Sequence, residues 1–151
     1  ELVSVGSGFG DASPDGDDTF DGGAGYDTVS YWHRTTSVSV VLGGGLTTGN
    51  GTPGTENDQL VRVEAVSGGA AADTLSITGL LAGLGTLRGN AGADTLTGGP
   101  GTDALLGGAG ADELRGAGGD DRPVDYRGAG GPQGPRGRGA GAHRADRYCR
   151  R

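Results

Sequence analysis

Four aspartates in the second half of the chain stand nine residues apart, and their side chains could bind a metal ion. They are Asp94, Asp103, Asp112 and Asp121. Because no His or Cys stands nearby at ligand spacing, the carboxylate oxygens select a hard cation rather than zinc. Neighbouring glycines give a flexible frame for six or more oxygen ligands, which favours Ca²⁺ over Mg²⁺. We therefore predict calcium as the cofactor.

The spacing of nine belongs to whole nine-residue units. In register they read GNAGADTLT at 89–97, GGPGTDALL at 98–106, GGAGADELR at 107–115 and GAGGDDRPV at 116–124. Glycines at positions one, two and four permit tight reversals that can aim carbonyl oxygens inward. The last three positions predict a short strand whose aliphatic residue, at position eight, faces inward.

Earlier units carry the pattern with more departures. Their acids at position six are Asp18 in unit 13–21, Asp27 in unit 22–30 and Asp73 in unit 68–76. The unit at 80–88 has Gly85 in place of the acid, and three extra residues, 77–79, precede it. We expect Asp73 to pair with Asp94 only if this insertion bulges out.

Stacking of the units makes folding depend on a cation. If each unit supplies one turn and one strand, two units form one full coil. Asp94 then lies over Asp112, and Asp103 over Asp121, at the strand spacing of about 4.8 Å. Each such pair repels by ~3 kcal/mol at an effective dielectric near 20, whereas one buried Leu contributes about 1.5–3 kcal/mol. Since ordering the glycines costs further entropy, we expect no coil without an ion between turns.

The segment between the two sets of units predicts strands and a loop. Val38, Val40 and Leu42 alternate with other residues and predict one strand, and residues 60–66 predict a second. TTGNGTPGT between them predicts a turn-rich loop. No stretch has a helical period.

The units resemble a known family. The pattern GGxGxDxUx, with U a large apolar residue, is similar to the repeats-in-toxin, or hemolysin-type, calcium-binding nonapeptide. Units 22–30 and 107–115 match it at every defined position, and 98–106 does so with Pro100 at a free position. The run from DTVSY through VSVVL to LVRVEAVSGGAAADTLS resembles the spacer that joins such arrays. The resemblance covers about residues 13–126.

This resemblance implies an all-β parallel β-roll, a β-solenoid, with calcium between its turns. The best sites are expected between turns 89–94 and 107–112 and between turns 98–103 and 116–121. Asn90 in place of a glycine is a departure from the family pattern, and Pro123 prevents a normal final strand. The implied ligands are the carboxylates or carbonyls of Asp94, Asp103, Asp112, Asp121, Gly89, Ala91, Gly98, Pro100, Gly107, Ala109, Asp73, Asp27 and Asp18.

Asp18 and Asp27 have a weaker case, since each lacks an acid two units further along the chain. A competing interpretation of the first of these units is an EF-hand-like loop starting at Asp11, but Gly22 stands where that loop needs an acid. Tyr31 and its neighbours Trp32 and His33 form the only aromatic cluster, which we expect to cap the solenoid or pack on the spacer rather than bind a sugar.

Charge and composition separate the chain into two parts. Residues 1–126 hold 18 acids and five Arg, whereas residues 127–151 hold seven Arg and one acid. Gly and Pro number 36 and 6 of 151 residues, which excludes a large ordinary core. The predicted organisation is a lead-in at 1–12, N-terminal nonapeptides at 13–30, a strand-rich spacer at 31–67, the main calcium-binding roll at 68–126 and an Arg/Gly-rich disordered tail at 127–151.

The resemblance also implies the kind of protein. We expect a secreted, extracellular bacterial module exported by a type I apparatus, which extracellular Ca²⁺ folds. No Ser or Cys pairs with a His and an orienting acid, so we expect no catalysis here. No apolar run is long enough to span a membrane. The alternatives are a calcium-independent solenoid of an adhesin or surface layer, and a tail that binds nucleic acid through arginine, a partner we do not expect.

Overall fold

The structure is a computed structural model, and it describes residues 2–4, 16–43, 45–79 and 84–121. The basic tail, most of the lead-in, Asp11 and Pro123 lie outside these ranges. The described residues contain twelve strands and no helix. The strands are β1 Leu2–Ser4, β2 Thr19–Asp21, β3 Thr28–Ser30, β4 Ser39–Gly43, β5 Thr47–Asn50, β6 Asp58–Val61, β7 Ala65–Ser67, β8 Thr74–Thr78, β9 Gly85–Ala91, β10 Thr95–Thr97, β11 Asp103–Ala109 and β12 Glu113–Arg115.

Two parallel sheets contain the repeats. The first has the order β1-β3-β7-β9-β11 and the second the order β12-β10-β8-β4. Consecutive strands from β8 to β12 alternate between these two sheets. Leu87 pairs with Leu105, and Leu96 with Leu114, so paired strands are offset by two nonapeptides. The offset of two nonapeptides expected from the sequence is therefore present in this array.

Position eight of the nonapeptide supplies the core. Its residues Leu75, Leu87, Leu96, Leu105 and Leu114 are at most 4% exposed and form one cluster. The three-residue strands β10 and β12 bury only this middle side chain, because neighbouring side chains on a strand point to opposite faces. The core is consequently one aliphatic residue per unit, as the pattern predicts.

The insertion at residues 77–79 extends a strand instead of bulging from it. β8 continues to Thr78, and Ile77 pairs with Leu42 and is 3% exposed. Leu75 still pairs with Leu96, although the insertion lies between them, so the extra residues are absorbed without loss of register. Asp73 therefore stacks on Asp94 while Ile77 lies inside β8 and adds apolar burial to the core, so this pairing does not require Ile77 to bulge out.

The spacer differs from the prediction in its second half. β4 confirms the first predicted strand, but the run 60–66 forms two strands in different sheets, β6 and β7. Arg62 separates them with φ 51°, a left-handed conformation that turns the chain. The predicted loop also contains a strand, β5, which pairs antiparallel with β6. A third sheet of order β2-β6-β5 results.

No described helix is long and apolar enough to cross a bilayer.

Candidate metal sites

The acids at position six form two rows, each at the start of one sheet's strands. We call Asp73, Asp94 and Asp112, which precede β8, β10 and β12, the first carboxylate column. The second carboxylate column runs along the other sheet. Its members, in order, are Asp27, Glu64, Asp103 and Asp121, with Gly85 between Glu64 and Asp103.

One hydrogen bond repeats along the columns. The backbone N–H of Asp73 donates to Oδ1 of Asp94 at 2.8 Å, and that of Asp94 donates to Oδ1 of Asp112 at 3.0 Å. In the second column the N–H of Asp103 donates to Oδ1 of Asp121 at 3.2 Å. Each carboxylate is therefore held against the backbone of the turn before it in the stack.

The glycine at position one makes room for the carboxylate of its own turn. A Cβ added at Gly89 would lie 2.1 Å from Oδ2 of Asp94, and one at Gly107 would lie 2.4 Å from Oδ2 of Asp112. These distances are far below van der Waals contact. Only a residue without a side chain lets the carboxylate fold over the turn.

Position four brings backbone carbonyls close to the columns. Gly92 has φ 127°, and a Cβ there would lie 2.2 Å from the carbonyl oxygen of Ala71. At Gly110, with φ 150°, a Cβ would lie 1.5 Å from the carbonyl oxygen of Gly92. The turns thus stack so closely that carbonyl oxygens of one turn lie against the backbone of the next. Carbonyl and carboxylate oxygens could therefore bind the same ion.

The columns contain oxygens suited to a cation. Asp94 and Asp103 are both 1% exposed. Within the described ranges, Oδ2 of Asp94 and Oδ1 of Asp103 are buried and accept no hydrogen bond. A buried carboxylate oxygen without a donor is costly, because nothing replaces the water it has lost. These two atoms lie in different columns, and one hard divalent cation in each column would satisfy them.

Electrostatics in the columns oppose the ionised state when no ion is present. Burial, and then repulsion from Asp73 and Asp112, raises the pKa of Asp94 to about 6. Burial, with Asp103 and Asp120 nearby, likewise raises the pKa of Asp121 to about 6. Burial also raises the pKa of Asp73 and that of Asp103. At neutral pH the columns are therefore negatively charged at a cost that a cation would relieve.

Comparison with known protein families decides what these turns are. The family model of the RTX calcium-binding nonapeptide repeat matches residues 15–29 and 83–114, in four copies. These two segments match RTX calcium-binding nonapeptide repeats. Repeats of this family bind Ca²⁺, in agreement with the predicted cofactor. Comparison with curated proteins gives no match.

Departures from the RTX pattern are accommodated locally. Asn90, which replaces a glycine, has φ 75°, and its Nδ2 donates to the carbonyl of Gly68 at 2.6 Å. Asn tolerates this conformation better than most residues do. Gly85 leaves a gap in the second column, but it still pairs with Asp103 in the sheet. The gap removes a ligand without breaking the stack.

The remaining ligands implied by the sequence lie in the same turns. The carbonyl of Ala109 accepts from the N–H of Gly92 at 2.9 Å. A Cβ added at Gly89 would lie 2.5 Å from the carbonyl oxygen of Gly107, and one at Gly119 would lie 3.2 Å from that of Pro100. Gly98 is placed as Gly89 is, with the carboxylate of its own turn over it. Ala91 donates its N–H to the carbonyl of Gly69 at 3.3 Å.

Glu64 is a column member that the sequence analysis missed. The backbone N–H of Asp27 donates to its Oε2 at 2.9 Å, and the carbonyl of Asp27 accepts from the N–H groups of Glu64 and Ala65. The signal was available, because residues 59–67 keep the register of the next unit, with Glu64 at position six and Val66 at position eight. Asp27, expected to lack an acidic partner, is thus stacked on one 37 residues away.

Asp18 also has an acidic neighbour that the spacing did not indicate. Its N–H donates to Oδ1 of Asp58 at 3.1 Å. Oδ2 of Asp58 accepts from the hydroxyl of Tyr31 at 2.8 Å, and burial raises the pKa of Asp58. Of the aromatic cluster, Tyr31 is fully buried as expected for packing on the spacer, whereas Trp32 is 61% exposed.

In the part of the chain that the structure describes, no three His, Cys, Asp or Glu side chains converge on one point. A turn with an acid at position six supplies one carboxylate to its column, and the turn backbone supplies other oxygens close by. Any ion held here would therefore bind between turns with a mixed set of ligands.

Proposed function

We propose that this chain is a secreted bacterial β-roll whose folding is driven by extracellular Ca²⁺. The observation that carries the proposal is the buried Oδ2 of Asp94, which accepts no hydrogen bond within the described ranges and lies in a column with Asp73 and Asp112. Its position is the one at which an RTX repeat places its acid. An ion at this oxygen would replace the lost hydration.

The proposed sites follow the two columns. Turns 89–94 and 107–112 would hold one ion through Asp94 and Asp112, and turns 98–103 and 116–121 would hold another through Asp103 and Asp121. Carbonyl oxygens would complete each set. The proposed carbonyl ligands are Gly89, Ala91, Gly107 and Ala109 for the first site, and Gly98 and Pro100 for the second.

Two further sites would use the earlier repeats. Asp73 lies beside Asp94 in the first column, so the pair would bind an ion as the later pair does. Asp27, with Glu64, would do so in the second column. Asp18 would bind an ion through its own carboxylate, because both oxygens of the neighbouring Asp58 are already held, by the Asp18 N–H and by the Tyr31 hydroxyl.

A closed roll explains the alternation of strands between the two parallel sheets. One coil of two nonapeptides contributes a strand to each sheet, and the aliphatic residues at position eight meet between them. We propose that residues 68–126 form this roll, with residues 13–30 as the N-terminal repeats and 31–67 as the spacer. The basic tail at 127–151 would stay outside it, whereas the lead-in at 1–12 contributes β1, which pairs with β3 at the edge of the first sheet.

Calcium would act as a switch for folding because the opposing energies are similar. Neighbouring ionised acids in a column repel by ~3 kcal/mol, and each buried Leu contributes about 1.5–3 kcal/mol. Binding of Ca²⁺ would remove the repulsion between the acids, and this would decide whether the array folds. Extracellular calcium modules bind with Kd of ~10⁻⁴ to 10⁻³ M, so the chain would stay unfolded in the cytosol and fold outside.

This behaviour fits an exported protein. An unfolded chain can pass through a type I channel and then fold where calcium is abundant. The RTX repeats are a binding module, and we assign no catalytic step to them.

Circular dichroism of the full chain in EGTA and then in CaCl₂ tests the proposal. We expect little β signal in EGTA and a cooperative gain with calcium, which MgCl₂ does not reproduce. Isothermal calorimetry would give the number of ions. A full β signal in EGTA would contradict the calcium switch.

That contrary result would favour a second candidate, a calcium-independent solenoid of an adhesin or surface layer. One observation supports it: the N–H to carboxylate bonds that join Asp73, Asp94 and Asp112 are complete without an ion.

A further inference from the structure

A buried ion pair connects two distant parts of the spacer. Nη2 of Arg34 lies 2.6 Å from Oε1 of Glu56, and the two side chains are 1% and 0% exposed. Arg34 stands in the turn between β3 and β4, and Glu56 in the segment between β5 and β6. A pair so far from water needs tight geometry, because desolvation opposes it.

Further hydrogen bonds fix this pair. Oε2 of Glu56 accepts from the N–H of Thr52 at 2.5 Å, and the Tyr31 hydroxyl donates to Asp58 at 2.8 Å. The N–H of Arg34 donates to the carbonyl of Tyr31 at 2.8 Å. We call Tyr31, Arg34, Glu56 and Asp58 the buried staple. All four are at most 7% exposed.

The turn that carries the staple is stacked on the first turn of the main array. The N–H of Tyr31 donates to the carbonyl of Ser67, and the N–H of Ala70 donates to the carbonyl of Arg34, both at 2.8 Å. The N–H of Val38 donates to Oδ1 of Asp73 at 2.9 Å. This last contact has the same form as those between the RTX turns.

The stacked turn nevertheless lacks an RTX acid. Val38 occupies the place that Asp94 and Asp112 occupy further along the column, so this turn offers no carboxylate to an ion beside Asp73. The same turn contains Arg34, whose guanidinium is already buried against a carboxylate.

We propose that Arg34 is a positioning residue that replaces calcium in the spacer. The buried staple keeps the spacer folded without an ion and presents Asp73 in register, so calcium-driven ordering of residues 84–121 starts from Asp73. This inference rests on the proposed calcium-driven folding. It restricts calcium-driven folding to residues 84–121, because the buried staple would already fold the spacer in the calcium-free chain and make it the template.

Amide hydrogen exchange of the full chain, measured by NMR in EGTA and in CaCl₂, tests the template. In EGTA we expect protection at Val40 and Thr74, because Thr74 donates its N–H to the carbonyl of Val38 and so joins β8 to β4. We expect free exchange in EGTA at Leu96 in β10 and at Glu113 in β12, whose N–H donates to the carbonyl of Asp94. Calcium should protect all four. Protection at none in EGTA but at all in calcium would overturn the template and leave calcium-driven folding intact. Protection at all four in EGTA would instead contradict calcium-driven folding.

Two substitutions of similar size separate the charge of Arg34 from its volume. Arg34→Lys keeps the positive charge, whereas Arg34→Met leaves Glu56 buried without it. In EGTA we expect Arg34→Met to lower protection at Val40 by roughly a hundredfold or more, and Arg34→Lys to lower it much less. The calcium midpoint of Leu96 protection should rise only in Arg34→Met. Equal behaviour of the two variants would overturn the role of the charge.

A milder variant keeps the test decisive if Arg34→Met does not fold in calcium. Tyr31→Phe removes only the hydroxyl that donates to Asp58, and protection at Val40 in EGTA should fall by about tenfold or more. Arg62→Met is the matched control, since its pair with Asp21 is exposed and lies outside the staple. Arg62→Met should leave protection unchanged, and an unchanged Tyr31→Phe would overturn the staple.

Discussion

The backbone N–H of Asp94 donates to the carboxylate of Asp112 at 3.0 Å, across 18 residues of sequence. This bond joins successive coils through the same side chain that is proposed to bind the ion. Oδ1 of Asp112 is thus held by the backbone of the neighbouring turn, while Oδ2 lies over Gly107 of its own turn. A single side chain would therefore serve both the register of the stack and the proposed binding of calcium.

Replacing Asp112 by Ala should weaken calcium binding strongly. The change removes one carboxylate ligand and the acceptor of the Asp94 N–H, so we expect the calcium midpoint of the β signal to rise about tenfold or more, in line with ~1.5–3 kcal/mol for a charged hydrogen bond. Calorimetry should also count one ion fewer. Glu113→Ala is the matched control, because it removes the same charge from the next residue, whose only described ion pair is exposed. Equal midpoints for the two variants would rule out Asp112 as a ligand.

The local signals in the sequence were sufficient to predict the array. The period of nine gave the offset of two units, the buried residue at position eight and the stacking of Asp94 on Asp112, because one unit fixes its own turn and strand. The column membership of Glu64 depends on pairing between β3 and β7, which brings it to Asp27 across 37 residues. The nine-residue period places Glu64 at position six, but it does not indicate that Glu64 contacts Asp27.

The spacer was harder to predict for a related reason. Arg34 and Glu56 are isolated charges in sequence, and exposed positions are the usual place for both. Only the antiparallel pairing of β5 with β6 and the stacking of Tyr31 on Ser67 bring them together. Such a pair depends on tertiary structure and leaves no periodic signal.

Gly107→Ala should impair the array although no ligand side chain changes. The new Cβ would lie 2.4 Å from Oδ2 of Asp112, so the carboxylate must move away from the turn. We expect a higher calcium midpoint together with a lower urea midpoint in saturating calcium. Gly45→Ala serves as the control, since a Cβ there would meet nothing within 4 Å. Wild-type behaviour of Gly107→Ala would show that the carboxylate does not need this position.

Stability without calcium should increase as the pH is lowered from neutrality. The pKa of Asp94 and that of Asp121 are raised to about 6 in the folded chain, whereas an unfolded Asp has a pKa of about 3.9. The folded chain therefore binds more protons between these values. The resulting stabilisation is complete below about pH 4 and is lost as the pH rises through about 6.

The measurement is the residual β signal and the urea midpoint in EGTA at pH 7.5 and pH 5. Both should be higher at pH 5. In CaCl₂ the dependence should reverse, because protons compete with calcium for the same carboxylates. Asp94→Asn should reduce both trends, and Glu113→Gln should not. A urea midpoint in EGTA that falls on acidification would contradict this account.

Leu96→Ala should destabilise the calcium-bound array by about 2–5 kcal/mol, as expected for a large-to-small change in a core. Leu96 is 0% exposed and lies between Leu75 and Leu114 in its sheet, so the cavity would interrupt a continuous aliphatic row. Leu46→Ala is the control, because Leu46 is 59% exposed and its truncation removes little burial. Urea unfolding in saturating CaCl₂ gives both values. Since each coil contributes a single residue of this kind to a sheet, a loss below about 1 kcal/mol would mean that the row is not the source of the array's stability.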